Sequence, residues 1–394
     1  MATESPFLLY RVECPICKTL NEFETIRVGA YAEESRDTDF CPTNVKWRFP
    51  RYQGYNPLVF FTATCGNCFY SRELTNSYRD WKDDVNFKTY RLKTVKPKHL
   101  DQLSQSESAI KLMGSALDLN RFPNESAILK LHLAIFDEQL ADHYSRLDVG
   151  RFYLRIGWVF RDIERGEDPN RLLLNNLVYD VQDEYNRVRN SLNGTIAQIE
   201  QLMARTNLPV DAEELSAESK SQLLSYRERF GEFVREIHAQ MTAGNDKLEQ
   251  MGEVVNEYRQ TMLGGENSGG GRAFGRFATF QEFLQDAKRG WNGIVTNERE
   301  ALEKAVFNYK EAFANGRDIA PGNQQIQASY LIAELSRRIG DYDEAKQYFT
   351  STIKSGQEFI YQNRNDKSRT ALAKKILELA IEQGRSNLAA SRPA

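Results

Sequence analysis

The sequence predicts a mainly α protein: tetratricopeptide-like helical repeats with an inserted coiled-coil hairpin, preceded by a small N-terminal zinc-ribbon-like α/β module. Three observations carry this reading. Two cysteine knuckles, Cys14-Pro15-Ile16-Cys17 and Cys65-Gly66-Asn67-Cys68, stand near one end of the chain. A helix–turn–helix signature of repeat type, at 330–349, stands near the other. Long heptad seams of apolar residues run between them. The 394 residues are 41% hydrophobic and 27% charged, as in a folded chain of two or three domains. The formal net charge is -3 and the pI about 6.0, which argues against a protein that mainly coats nucleic acid, a task needing concentrated positive charge. No apolar run approaches the roughly 20 residues of a membrane helix. Met1-Ala2-Thr3-Glu4-Ser5-Pro6 lacks the basic region and apolar core of a signal peptide. The expected location is the cytoplasm, where thiols stay reduced and paired cysteines serve as metal ligands more often than as bridges.

Residues 1–98 form the first expected domain. Leu8–Glu13 and Phe23–Val28 have strand character around the first knuckle, and Leu58–Thr64 is a β-branched and aromatic run leading into the second. Two pairs of thiolates, each held by a tight turn, are what a tetrahedral Zn2+ requires. All four histidines, His99, His132, His143 and His238, lie downstream, so Cys14, Cys17, Cys65 and Cys68 are the expected ligands of a structural zinc. A disulfide pair and a redox CxxC are the alternatives. Gly66 is expected to free the backbone to curl around the metal. A long polar loop, 33–54, joins the knuckles. In it, Asp37 and Asp39 are expected to cap a turn, and Cys41 to be a plain half-buried residue.

The first knuckle, then Arg36-Asp37-Thr38-Asp39-Phe40-Cys41-Pro42, then Asn56-Pro57, the second knuckle and Phe69-Tyr70, resembles a bacterial family known only as a domain of unknown function, number 2225 in that series. The resemblance covers 10–165 and 300–360. It implies an N-terminal cysteine module joined to a tetratricopeptide-like helical part, and it carries no activity.

Lys88, Arg91, Lys93, Lys96 and Lys98 form a basic tract with Tyr90 among them and no acid. Cations position phosphates and an aromatic ring stacks a base, which makes a nucleic-acid contact the alternative function. A solvated lysine-rich linker explains the same residues.

Residues 99–168 are expected to be a helical hairpin, the first part of the repeat domain. Asn124 behind Pro123 is its expected N-cap. Ala127, Ile128, Leu131, Ile135 and Leu140 form one apolar stripe, and Phe152, Ile156, Val159, Phe160 and Ile163 the next, with Gly150 separating them. Residues 169–298 are expected to be an inserted arm. Leu174, Val178, Val181, Tyr185, Val188, Leu192, Thr195, Ile199 and Leu202 recur at alternating steps of four and three. After a break at Thr206-Asn207-Leu208-Pro209, a second seam runs through Phe230, Val234, Ile237, Met241, Leu248, Met251, Val255, Tyr258 and Met262. Gly244 interrupts it, at a cost of about 1 kcal/mol to the helix. The glycines from Gly264 to Gly271 lack the Lys-Ser or Lys-Thr of a phosphate loop and read as a flexible segment. A third helix is expected over Phe280–Glu298.

Residues 299–390 complete the repeat domain. Ala333, Gly340, Tyr342, Ala345 and Phe349 match the small, turn and packing positions of a tetratricopeptide unit, with Thr352 where alanine is usual. Arg337 and Arg338 are candidate contacts for an acidic peptide, or complement the helix dipole. Lys88, Arg91 and Lys93 are the other candidate partner contacts. No nucleophile elbow, paired histidines or base beside Cys41 marks a catalytic centre. The expectation is a non-enzymatic scaffold or adaptor that binds protein partners, including other copies of itself through the arm.

Overall fold

A computed structural model of the chain describes residues 5–49, 52–53, 55–106, 108–119, 122–165, 181, 184–198, 200–201, 215–262, 274, 277 and 279–391. It is mostly helical, with a small strand region at the N-terminal end. The residues cluster into two compact units: Met1–Glu167 with Gly271–Ala394, and Asp168–Gly270.

In the first unit, three antiparallel hairpins come first. β1 (Phe7–Glu13) pairs with β2 (Leu20–Ile26), β3 (Tyr31–Arg36) with β4 (Pro42–Trp47), and β5 (Thr62–Thr64) with β6 (Ser71–Glu73). The stretch expected as a long polar loop is therefore largely the β3–β4 hairpin. Polar side chains mislead there because only one face is covered: Trp47 and Tyr55 pack with Phe7 and Ala30, while the other face meets water. The strand expected over 58–64 is shortened, because Pro57–Phe60 forms a 3-10 turn capped by Asn56.

Helices follow: α1 (Asn76–Arg79), then a π-helical turn at Phe87–Arg91 running into α2 (Leu92–Ser104), α3 (Ala109–Ser115), α4 (Pro123–Gln139) and α5 (Arg146–Arg165). The basic tract thus lies on helix rather than on a linker. Pro123 occupies the first turn of α4 with Phe122 as its N-cap, two residues before the expected Asn124. Ile128, Leu129, Leu131, Leu133 and Ile135 are all buried, so α4 is covered all round and not along one stripe. Gly150 does not separate two helices. It lies within α5, where a Cβ would come 3.3 Å from the Tyr309 ring and 3.5 Å from the Ala305 carbonyl, so its lack of a side chain sets a close helix–helix approach.

α6 (Ala217–Met262) belongs to the second unit. In the first unit the chain continues through α7 (Phe280–Gly290), α8 (Glu298–Asn315), α9 (Asn323–Ile339), α10 (Tyr342–Gln362) and α11 (Lys367–Ala390). The third expected arm helix ends at Gly290. Trp291 leaves it in extended conformation, and Asn297 caps α8 by accepting from the Glu300 amide. Between α9 and α10, Gly340 takes the left-handed conformation (φ 88°) and Asp341 caps α10 through the Glu344 amide. Tyr330, Ala333, Ala345, Phe349, Ala373, Ile376 and Ala380 form one buried cluster across α9, α10 and α11. Thr352 is buried there, donating to Ser329 Oγ at 2.8 Å.

In the second unit, residues 184–198 are helical, and α6 runs for 46 residues. Along α6, Phe230, Val234, Ile237, Met241, Leu248 and Met251 are half-buried. Tyr185 donates to the Met241 carbonyl, and a Cβ at Gly244 would stand 2.7 Å from its ring. Gly244 is therefore the recess that admits Tyr185. Leu174, Val178, Ile199, Leu202, the break at 206–209 and the glycines of 264–271 lie outside the described residues, as do the side chains of Val255, Tyr258 and Met262.

Candidate metal centre

Each knuckle is the turn of a hairpin: residues 14–19 join β1 to β2, and 65–70 join β5 to β6. The two turns are built identically. The first cysteine's amide donates to the carbonyl five residues on, Cys14 to Thr19 at 2.8 Å and Cys65 to Tyr70 at 2.9 Å. The first cysteine's carbonyl accepts from the amide four residues on, Lys18 at 3.0 Å and Phe69 at 2.9 Å. The residue after the second cysteine turns left-handed in both, Lys18 with φ 65° and Phe69 with φ 63°. Gly66, expected to supply that freedom, does not adopt a positive φ. Its amide instead donates to Asn21 Oδ1 at 3.0 Å.

The turns bring Cys14, Cys17, Cys65 and Cys68 together with their Sγ atoms all within 4.8 Å of one another. Cys14 and Cys68 Sγ are 3.6 Å apart, and Cys17 and Cys65 Sγ 3.5 Å. All four are free thiols. A tetrahedron of sulfurs at about 2.3 Å from a central ion has edges of about 3.8 Å. A disulfide needs about 2.05 Å. The donor set therefore fits a four-coordinate thiophilic ion, and this cluster could hold one.

Amides point at the sulfurs: Cys17 N–H at Cys14, Thr19 N–H at Cys17, Asn67 and Cys68 N–H at Cys65, and Tyr70 N–H at Cys68. The neighbouring Cys14 and then Cys68 thiols lower the pKa of Cys65. The nearby Cys65 sulfur correspondingly pushes Cys14 up to about 12, and Cys68 is raised as well, first by Cys14. Sulfurs this close cannot all ionise together unless a cation shares their charge.

The cage is braced from the helices. His99 is fully buried on α2, with Nε2 2.9 Å from the Cys68 carbonyl and Nδ1 2.6 Å from Asp137 Oδ1 on α4. The other Asp137 oxygen accepts from the Ser71 amide at 2.7 Å, so one carboxylate holds both the histidine and the strand after the knuckle. Asn21 Nδ2 lies 3.5 Å from Cys65 Sγ and ties the two hairpins. His132 is also structural: it accepts from the Val295 amide at 3.0 Å, and burial lowers its pKa to about 3.

The turn of the β3–β4 hairpin, 37–41, does not join the cage. It plugs into the helices. Arg161 on α5 donates to both oxygens of Asp39, at 2.8 and 3.3 Å, to Asp37 at 3.1 Å and to Glu298 at 2.6 Å. Arg338 donates to Asp37 at 2.7 Å and to Thr38 Oγ1 at 2.8 Å. Glu334, fully buried, accepts from Arg337, Arg338 and Thr38 at 2.7, 2.9 and 2.6 Å. Asp37 and Asp39 do cap the turn, through the amides of Thr38 and Cys41. Cys41 is buried, and burial followed by the Asp39 charge raises its thiol to about 12, so it stays protonated.

The remaining candidate residues are dispersed. Arg337 and Arg338 face the carboxylates just named. Arg91 pairs with Glu138, whereas Lys88 and Lys93 are exposed. Sequence reasoning missed Arg161, Glu298 and Glu334, and also the bracing role of His99 and Asp137. A carboxylate at a helical packing position, as at Glu334 between buried Ala333 and Leu335, was the available signal.

Fold and site together define a mostly helical protein whose N-terminal hairpins carry a four-thiol cage able to take a metal ion. The chain belongs to the family described as an uncharacterized protein conserved in bacteria (DUF2225), whose sequence profile matches residues 9–198 and 268–374. The match leaves out only 199–267 within the span expected to be an insertion. No curated protein and no solved structure is a significant match to the chain. Among the described residues, no helix is long and apolar enough to cross a membrane.

Proposed function

We propose that this protein is a cytoplasmic, non-enzymatic scaffold or adaptor. A structural Zn2+ on Cys14, Cys17, Cys65 and Cys68 fixes its head, and tetratricopeptide-like helices and a coiled-coil arm bind protein partners. Four sulfurs complete a tetrahedron and leave no open position for substrate, which supports a structural role for the metal. The observation that carries the adaptor reading lies on α6. Leu223 and Tyr226, seven and four residues before Phe230, continue the apolar stripe of Phe230, Val234 and Ile237, yet stand 38% and 64% exposed. Phe233 beside them is 59% exposed. Full burial of such side chains stabilises by about 1.5–3 kcal/mol each, a gain open to a second copy of the chain or another protein.

Metal analysis of the purified protein, with Cys14→Ser and Cys65→Ser for comparison, tests the head, and one zinc per wild-type chain is the expected result. Size-exclusion with light scattering, joined to capture of partners from the native cell, tests the arm. Association lost in Leu223→Glu and Tyr226→Glu supports the reading. A strict monomer that captures no protein overturns it.

The exposure of Tyr90, at 72%, beside exposed Lys88 and Lys93 favours one second reading, a nucleic-acid-associated regulator. Salt-dependent binding of DNA or RNA, lost in Lys88→Glu with Lys93→Glu, is its test, and no binding at low salt removes it.

A further inference from the structure

A cleft of about 820 Å³ opens between the β3–β4 hairpin and helices α5, α8 and α9. That volume is typical of a small-molecule site. Its floor is one face of α5, where Arg151, Arg155, Trp158 and Asp162 follow at steps of four, three and four. The face is graded, with two guanidiniums at one end, an indole in the middle and a carboxylate at the other end.

Three of these side chains have polar partners of their own. Arg151 donates to Asp148 at 3.1 Å, Trp158 to Asp39 at 3.1 Å, and Asp162 accepts from Asn56 at 2.7 Å. Arg155 differs. Its guanidinium lies over the Phe61 ring, 4.1 Å from the centroid, and donates a single hydrogen bond, to the Arg151 carbonyl at 3.3 Å. It has no carboxylate in salt-bridge contact among the described residues. Burial, and then the neighbouring Arg151 charge, lower its pKa, and the carboxylates of Glu73 and Asp148, neither in direct contact with it, offset this only in part. Five N–H groups in a fixed fork suit a planar or tetrahedral oxyanion, and a second arginine one turn away adds to the attraction. The lining is mixed: Leu58, Leu154 and Leu331 offer apolar contact, while Asn44, Gln324 and Gln327 are polar and Arg36 is paired with Glu33.

We propose that this cleft binds a small organic anion, its carboxylate or phosphate paired with Arg155 and Arg151 and its apolar body against Leu58, Leu154 and Leu331. Asp162 at the far end repels a second negative group, so the ligand carries its charge at one end. This site is independent of the sulfur cage and of the α6 stripe.

Calorimetric titration of the full-length protein with phenyl phosphate, phenylacetate, inorganic phosphate and benzyl alcohol tests the assignment. One saturable site for phenyl phosphate or phenylacetate is expected, and the tighter of the two identifies the anionic group. Inorganic phosphate has no apolar body and benzyl alcohol no charge, so each binds weaker by about tenfold or more. Arg155→Gln lowers affinity for the aromatic anion by about tenfold while leaving benzyl alcohol unchanged. Gln327→Trp fills the cleft from α9 without removing either arginine and blocks uptake. If Arg155→Gln fails to fold, Gln327→Trp decides. The proposal is overturned if wild type takes up neither aromatic anion at millimolar concentration, if inorganic phosphate binds as well as phenyl phosphate, or if the folded variants keep wild-type affinity.

Discussion

Lys130 shows what burial does to a single charge. It lies inside α4 with its Nζ donating to the Val59 carbonyl at 2.7 Å, and burial, partly offset by Glu24, lowers its pKa from 10.5 to about 8. Below pH 8 the ammonium is charged in both folded and unfolded chains, and the folded state bears the full cost of enclosing it. Between pH 8 and 10.5 the folded state gives up the proton first, so the unfolded chain binds more protons and stability rises with pH. The gap corresponds to about 3 kcal/mol. Denaturant unfolding across this range is expected to show such a rise in wild type relative to Lys130→Met. Parallel curves for the two proteins would show that the lysine is not desolvated. At the same scale, His99 was legible only as a histidine. That it bonds the Cys68 carbonyl depends on α2 packing beside the second knuckle, which no local pattern encodes.

Among the elements, the β3–β4 hairpin behaves least as its composition suggests. Its Arg-Asp-Thr-Asp-Phe-Cys-Pro turn looks like solvated loop, yet Asp39 is fully buried against Arg161, whose side chain is only 6% exposed. Removing one member of a buried ion cluster leaves the others charged and unpaired, at about 3–5 kcal/mol. Arg161→Met is therefore expected to lower the unfolding free energy by that amount, and Asp39→Asn with Arg161→Met to recover part of it. A double mutant as unstable as the sum of the singles would show that the two do not interact. Asp37 adds a pH arm. Burial opposes its ionisation, but the Thr38 amide and Arg338 outweigh this and hold its pKa below 3.8. Its contribution is thus present above pH 4 and lost as pH falls through the folded value. These pairings were hidden from sequence reading because Arg338 and Asp37 are 301 residues apart. The strand in β3 and β4 was hidden because polar side chains cover a face that only tertiary packing leaves to water.

At the scale of the whole molecule, a metal in the cage would hold up the hairpins more than the helices. The cage sits at the tips of two short hairpins, and the helices are closed by their own apolar cores. Chelation is expected to abolish the near-ultraviolet signal of Trp81, which donates to the Glu13 carbonyl at 2.7 Å beside the first knuckle. Most of the far-ultraviolet helix signal is expected to persist. Collapse of both signals together would mean that the head nucleates the helical part.

The sequence by itself determined the two cysteine pairs and the mainly helical character of the chain, because both depend on short-range spacing: two residues between thiols, and three or four between apolar positions. That the pairs meet, Cys17 and Cys65 being 48 residues apart, needs the folded hairpins. The tertiary structure alone decided which charges are buried, why Gly150 and Gly244 are glycine, and where the unpaired Arg155 faces a cleft. Those outcomes depend on surfaces far apart in the chain coming into contact, and burial sets their energy.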